Sequence, residues 1–270
     1  MNGIVAQLVA IISHGNQFLA NGDIEDFYPT NSAFQFCNRV DFRLVTNRRF
    51  FLGSSVSTIA DGPTEWYRYL HENGCERLRF QYRHSSARDK SQDYNLAGFV
   101  GGGGEWLIEA VYRNEYVLWN SFWDVTARER KDQKIWAVTY GTNGVRNNRR
   151  SSQIHISDVV TTLSDSLKNV IKFATSVGLD GWNATFERAL NALDSDNPEI
   201  DYYHKDLLAG SISIDKRQLF YAAAHAWVFG GMGSWNDNWF EAEDVQTEYQ
   251  RVTANLFDAV NEAYGSVLNS

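Results

Sequence analysis

Residues 106–125 read WLIEAVYRNEYVLWNSFWDV. Trp106, Ile108, Ala110 and Tyr112 alternate with Leu107, Glu109, Val111 and Arg113. After Asn114, the residues Val117, Trp119, Ser121, Trp123 and Val125 fall on one face of a second run. Period two is the signature of strands whose two faces meet different surroundings. The gap at Asn114 is too short for a crossover helix, so the two strands are expected to pair antiparallel.

The same period extends outward. Leu78, Phe80, Tyr82 and His84 alternate with Arg77, Arg79, Gln81 and Arg83, and Ile135–Tyr140 is a fourth run. Val40–Val45 and Phe50–Ile59 are weaker strand candidates. Ile4, Val5, Leu8, Val9, Ile12 and Leu19 suit a helical stripe ahead of the strands. Asp61 is placed to cap a short helix over Pro63–His71, with proline in its first turn and Gly74 as its stop.

Beyond residue 156 the period becomes helical. Val160, Leu163, Leu167, Val170, Ile171 and Ala174 form one face, closed by Gly178. Asp180 opens a second helix holding Phe186, Leu190 and Leu193, which ends before Pro198. A third spans about Asp215–Phe229, and a fourth carries Val245, Tyr249, Val252, Leu256, Val260 and Tyr264 on one stripe. Helix, then strands, then helices is the α+β order. The expected fold is an antiparallel β-meander in the N-terminal half covered by about four C-terminal helices. It reads as a single domain over 1–270, with a candidate sub-boundary at 141–155 in the polar link that begins GTNGVRNNRRSS.

The chain has 270 residues, 14% of them aromatic, with nine Trp and only three Pro. Cys37 and Cys75 are too few for a disulfide scaffold and read as free thiols of a cytoplasmic protein. Ile4–Ile12 lacks the basic flank and small-residue cleavage site of a signal peptide. No stretch approaches the roughly 18 apolar residues of a membrane span. The net charge of −8 is unevenly spread. Residues 1–150 carry 18 Lys and Arg against 16 Asp and Glu, whereas residues 151–270 carry 7 against 17. An acidic second half disfavours nucleic acid or an anionic membrane and favours a basic partner.

No motif for catalysis stands out. Gly101–Gly104 lead into Glu105 and a strand rather than a helix, without the Lys and Ser/Thr of a phosphate loop, and read as a strand-entry loop. The six histidines show no metal-ligand spacing, and neither a metal nor a cofactor is implied. Ser234 lies in GMGSWND, which is not a nucleophile elbow. His225, flanked by alanines, reads as a packed histidine before a catalytic one. Arg77, Arg79 and Arg83 share a strand face and are expected to pair with the acidic helical half or to be solvated.

The stretch HAWVFGGMGSWNDNWFEAED, His225–Asp244, is the candidate site. Trp235 and Trp239 fall where no helical or strand period accounts for them. Either the loop folds onto the body, or it presents the indoles to a partner. Asp237, Glu241, Glu243 and Asp244 adjoin them; carboxylates beside aromatic platforms suit sugar chemistry, but acids also belong at a helix N-terminus. Asp237 or Asn238 is a candidate cap. The other seven tryptophans, Trp66, Trp106, Trp119, Trp123, Trp136, Trp182 and Trp227, follow element periods and are expected in the core.

The leading expectation is a non-catalytic protein, inhibitor- or immunity-like, that engages a basic protein or peptide through Trp235, Trp239, Asp237, Glu243 and Asp244. A second is a module or enzyme acting on carbohydrate or a small polar ligand, with Asp237, Glu241 and His225 as catalytic candidates. A third is a structural or assembly protein.

Overall fold

The computed structural model describes residues 1–23, 27–46, 55–85, 93–148 and 155–270. Seven strands form one mixed sheet: β1 (Cys37–Thr46), β2 (Ser55–Ala60), β3 (Arg77–Arg83), β4 (Glu105–Val111), β5 (Glu115–Val125), β6 (Trp136–Thr142) and β7 (Arg146–Asn148). The order is β2-β1-β6-β5-β4-β3, with β7 pairing onto β5. The helices are α1 (Gly3–Asn21), α2 (Pro63–Glu72), α3 (Asp93–Leu96), α4 (Ile156–Ser176), α5 (Asn183–Ala192), α6 (Ile214–His225) and α7 (Glu243–Asn269). The fold class is α+β.

The run β3-β4-β5-β6 is the antiparallel meander written in the sequence. Its register brings the apolar faces together: Phe80 opposite Ile108, Ile108 opposite Trp119, and Trp123 opposite Val138. The mixed character comes from β1, which lies parallel to β6, with Val40 beside Val138 and Phe42 beside Tyr140. The strand expected over Phe50–Ile59 is seen as β2; residues 50–54 lie outside the described residues.

The core face of the sheet is covered first by α1 and α2. Trp66 of α2 stacks on Phe42 with ring centroids 4.3 Å apart and meets Trp119 edge-on at 5.1 Å. Tyr67 donates from its hydroxyl to the Ile11 carbonyl at 2.8 Å, joining the two helices. Helix α1 is buried almost all round between Val5 and Ser13. Gln7 sits in its dry interior because both ends of its amide are satisfied: its Oε1 accepts from Tyr140 Oη at 2.9 Å, and its Nε2 faces Cys37 Sγ at 3.4 Å. By length and mean hydropathy α1 meets the criterion for a membrane span, contrary to the expectation that no stretch came near one. In this fold its apolar side chains fill the core.

Helix α7 runs against β3 and serves as the spine for α4 and α6, with α5 packed on both of these. The C-terminal helices therefore build their own layer beside the sheet as well as covering part of it. Three boundaries differ from expectation. The cap of α2 is Gly62, at φ 147°, and not Asp61, whose backbone N–H donates instead to Glu65 Oε2 at 3.0 Å. Asp180 opens a short 3-10 turn, Asp180–Trp182, ahead of α5. Helix α6 stops at His225, and the buried segment after it is irregular.

At the outer edge of β3, two asparagine side chains take the place of a neighbouring strand. Leu78 donates its N–H to Asn16 Oδ1 (2.6 Å) and accepts from Asn16 Nδ2 (2.9 Å). Phe80 does the same with Asn269, at 2.7 and 2.9 Å.

Candidate ligand-binding cleft

The loop singled out by sequence divides its two tryptophans. Trp235 is 0% exposed and Trp239 is 70% exposed. Trp235 lies in a 3-10 turn, Trp235–Asp237, and points into the junction of three helical elements. Phe173 of α4, Trp182 and Phe186 meet it edge-on at 6.3, 5.8 and 5.3 Å, and Tyr249 of α7 lies 5.6 Å away. Its Nε1 donates to Thr253 Oγ1 at 2.9 Å, and its carbonyl accepts from Tyr249 Oη at 2.6 Å. Burial removes this indole from the set of residues a partner can touch.

The surrounding candidates do not converge. Asp237 accepts a hydrogen bond from the Gly233 N–H within its own loop. The cap of α7 is Ala242, not Asp237 or Asn238; Glu243 and Asp244 occupy its first turn, where their charge suits the helix dipole, and Glu241 precedes it in the open. His225 lies at the far end of α6, edge-on to Tyr202 at 5.3 Å and beside Asn197, Pro198 and Asp201. Burial pushes its pKa down, partly offset by the hydrogen bond its ring donates to the Pro198 carbonyl.

A group of exposed aromatics lies elsewhere, at the N-terminal end of α1. A cleft of about 290 Å³ opens there. Its floor comes from Gly3 and Ile4 of α1 and from Ser32 and Cys37. Its walls are Phe36, Phe99, Val100, Trp123 of β5, Trp136 of β6 and Tyr203. Phe36, Phe99, Val100 and Tyr203 are exposed, Tyr203 to 66%. Trp123 and Trp136, expected in the core, are half-buried and meet edge-on at 5.9 Å. A second lobe of about 430 Å³ shares Ile4, Val100 and Trp123 with the first, and adds Asn120, Ser121, Phe122, Glu105 and Asp124. Among the described residues, neither lobe is lined by a lysine or an arginine. Single exposed apolar residues are ordinary on a protein surface; a contiguous group around a concavity marks a binding site.

The Phe99 wall is positioned by backbone crossing backbone. A methyl group on Gly98 would come within 2.3 Å of the Gly230 carbonyl carbon. Asn236 Nδ2 reaches the Asn95 carbonyl at 3.4 Å beside this crossing. The His225–Asp244 loop thus buttresses the cleft from behind. Gly103 and Gly104, at φ 83° and 93°, turn the chain from this wall into β4 against Ala97 and Tyr82, which is the strand-entry role expected of Gly101–Gly104.

A polar cluster closes the floor. Ser32 Oγ lies 2.6 Å from His204 Nδ1 and hydrogen-bonds Asp206 Oδ1, while the Ser32 N–H donates to Asp206 Oδ2 at 2.7 Å. His204 is 5% exposed. Burial lowers its pKa to about 4, against the opposing pull of Asp206, so its ring is neutral at pH 7. Serine, histidine and aspartate meet here, yet the carboxylate holds the serine and not the far nitrogen of the imidazole, which a relay requires. Sequence reading missed this cluster because Ser32 lies 172 residues from His204 and 174 from Asp206. A signal for the walls was present: Phe36, Phe99 and Tyr203 sit in irregular links, as Trp235 does, where no period explains an aromatic ring.

The remaining suspects are structural. Arg79 faces Glu109 across β3 and β4 at 3.9 Å, and Arg77 donates to the Asn269 carbonyl at 3.3 Å. Arg79 is thus met by the sheet's own glutamate, and Arg77 reaches the end of α7. Cys37 and Cys75 are free and buried, and burial pushes their thiols up to about 11 and about 12. Among the described residues no group of three His, Cys, Asp or Glu side chains could hold a metal ion. Compared with known proteins, the chain matches no family model, no curated protein and no solved structure.

Proposed function

We propose that the protein is a non-catalytic binding protein that takes a basic peptide segment into this cleft. The observation that carries the reading is the pair of connected lobes: aromatic walls in the first, Glu105 and Asp124 in the second, and, among the described residues, no cationic side chain lining either. An aromatic or aliphatic side chain of the peptide fills the first lobe between Phe99, Trp123, Trp136 and Tyr203. A neighbouring lysine or arginine faces the carboxylates of the second. Buried aromatic anchors carry most of the affinity in such interfaces, and complementary charge speeds the encounter. The net charge of −8 works in the same direction. Exposed Trp239, Asp237, Glu243 and Asp244 lie on the loop behind the cleft wall and offer flanking contacts to a longer partner. The commitment of Ser32 to Asp206 supports binding over acyl transfer.

Calorimetric titration with the tripeptides Lys-Trp-Lys and Glu-Trp-Glu tests this. The basic peptide should bind, the acidic one should bind at least tenfold more weakly, and Trp123→Ala should weaken the basic peptide about tenfold or more. Equal affinity for the two peptides defeats the reading, as does tight binding of a neutral oligosaccharide in their place.

A further inference from the structure

The floor of the first lobe holds one polar group whose hydrogen-bonding capacity is unused. Ser32 Oγ has a single proton and two polar neighbours, His204 Nδ1 and Asp206 Oδ1. A carboxylate can only accept. If the hydroxyl donated to the imidazole, its oxygen would face the Asp206 oxygen with no proton between them. The arrangement that satisfies all three groups sends the serine proton to Asp206 and brings a proton from His204 Nδ1 to Ser32 Oγ. The ring is neutral because burial holds its pKa down to about 4. With its one proton at Nδ1, its Nε2 carries a lone pair. Among the described residues nothing donates to that nitrogen, although the ring is 5% exposed and lines the cleft. Nε2 is not one of the buried side-chain atoms that lack a partner; it keeps access to the cleft, so whatever fills the cleft supplies its donor.

We infer that His204 Nε2 selects the occupant of the first lobe, accepting a hydrogen bond from an aromatic side chain that carries its own N–H or O–H, as tryptophan and tyrosine do. The aromatic walls take the ring, and the imidazole reads the donor at its edge. A phenylalanine or leucine anchor fills the same space but leaves Nε2 unpaired. The inference rests on the reading of the cleft as a basic-peptide site and adds the identity of the anchor.

The test compares three peptides on the intact protein by calorimetry: Lys-Trp-Lys, the same peptide with 1-methyltryptophan, and Lys-Phe-Lys. The last two should bind about tenfold more weakly than the first, the difference expected when a buried acceptor loses its donor. His204→Phe should level the tryptophan and phenylalanine peptides. Long-range nitrogen–proton NMR of the wild type, which does not depend on that variant folding, should show the His204 proton on Nδ1. Equal binding of all three peptides, or a proton on Nε2, overturns the inference while leaving the basic-peptide reading standing. Failure of every peptide to bind overturns both.

Discussion

The Trp235 indole donates to Thr253 and is walled by Phe173, Trp182, Phe186 and Tyr249. Trp235→Ala would leave a cavity among these rings and strand the Thr253 hydroxyl. The expected cost is about 3–5 kcal/mol in urea-induced unfolding, while Trp239→Ala should stay within about 0.5 kcal/mol of wild type. Equal effects of the two changes would contradict their burial. Residue type alone did not separate these rings: both are tryptophans in one aperiodic loop, and the partners that bury Trp235 come from α4, the turn before α5, α5 and α7, far along the chain. Gln7 shows the converse. A glutamine inside an apolar run reads as an interruption, but Tyr140, 133 residues away, makes it a core residue.

Elements whose period is local were legible. The strands β3, β4 and β5 and the stripes of α4 and α7 follow directly from alternation or helical spacing, although β4 is buried on both faces from Trp106 to Val111. The parallel pairing of β1 with β6 was not legible, since hydrophobic period says nothing of direction and the two strands are separated by four others in sequence. The Gly98–Gly230 crossing was equally invisible, because it depends on two loops meeting. Gly98→Ala forces that crossing apart and should cost about 1–3 kcal/mol. It should also displace Phe99 and Val100 and weaken Lys-Trp-Lys binding more than an equally destabilising change in α5. Unaltered affinity would mean that the wall is not set by the crossing.

For the molecule as a whole, three histidines contribute to the response to acid. Burial lowers the pKa of His14, His204 and His225 from 6.5, with His204 at about 4. Between those values the unfolded chain binds more protons than the folded one, so stability is full above about pH 6.5 and is lost as pH falls toward 4. Urea midpoints at pH 7 and pH 4.5 should show the loss, and His204→Gln should reduce its slope. An unchanged slope in that variant would remove His204 as a contributor. The acidic second half was readable from composition, but the cleft was not, because six separate segments supply it.

The asparagine clasps on β3 bear on self-association. A bare sheet edge is a template for another chain. Asn16 and Asn269 occupy the outward N–H and carbonyl groups of Leu78 and Phe80 with side-chain amides. A side chain, unlike a strand, offers no further ladder beyond itself. The sheet therefore stops growing at β3, an edge strand that also carries Arg77, Arg79 and Arg83, and two helices hold the stopper in place. Replacing both asparagines by alanine would reopen the two rungs, and light scattering should then detect dimers and larger species that the wild-type protein does not form by this edge.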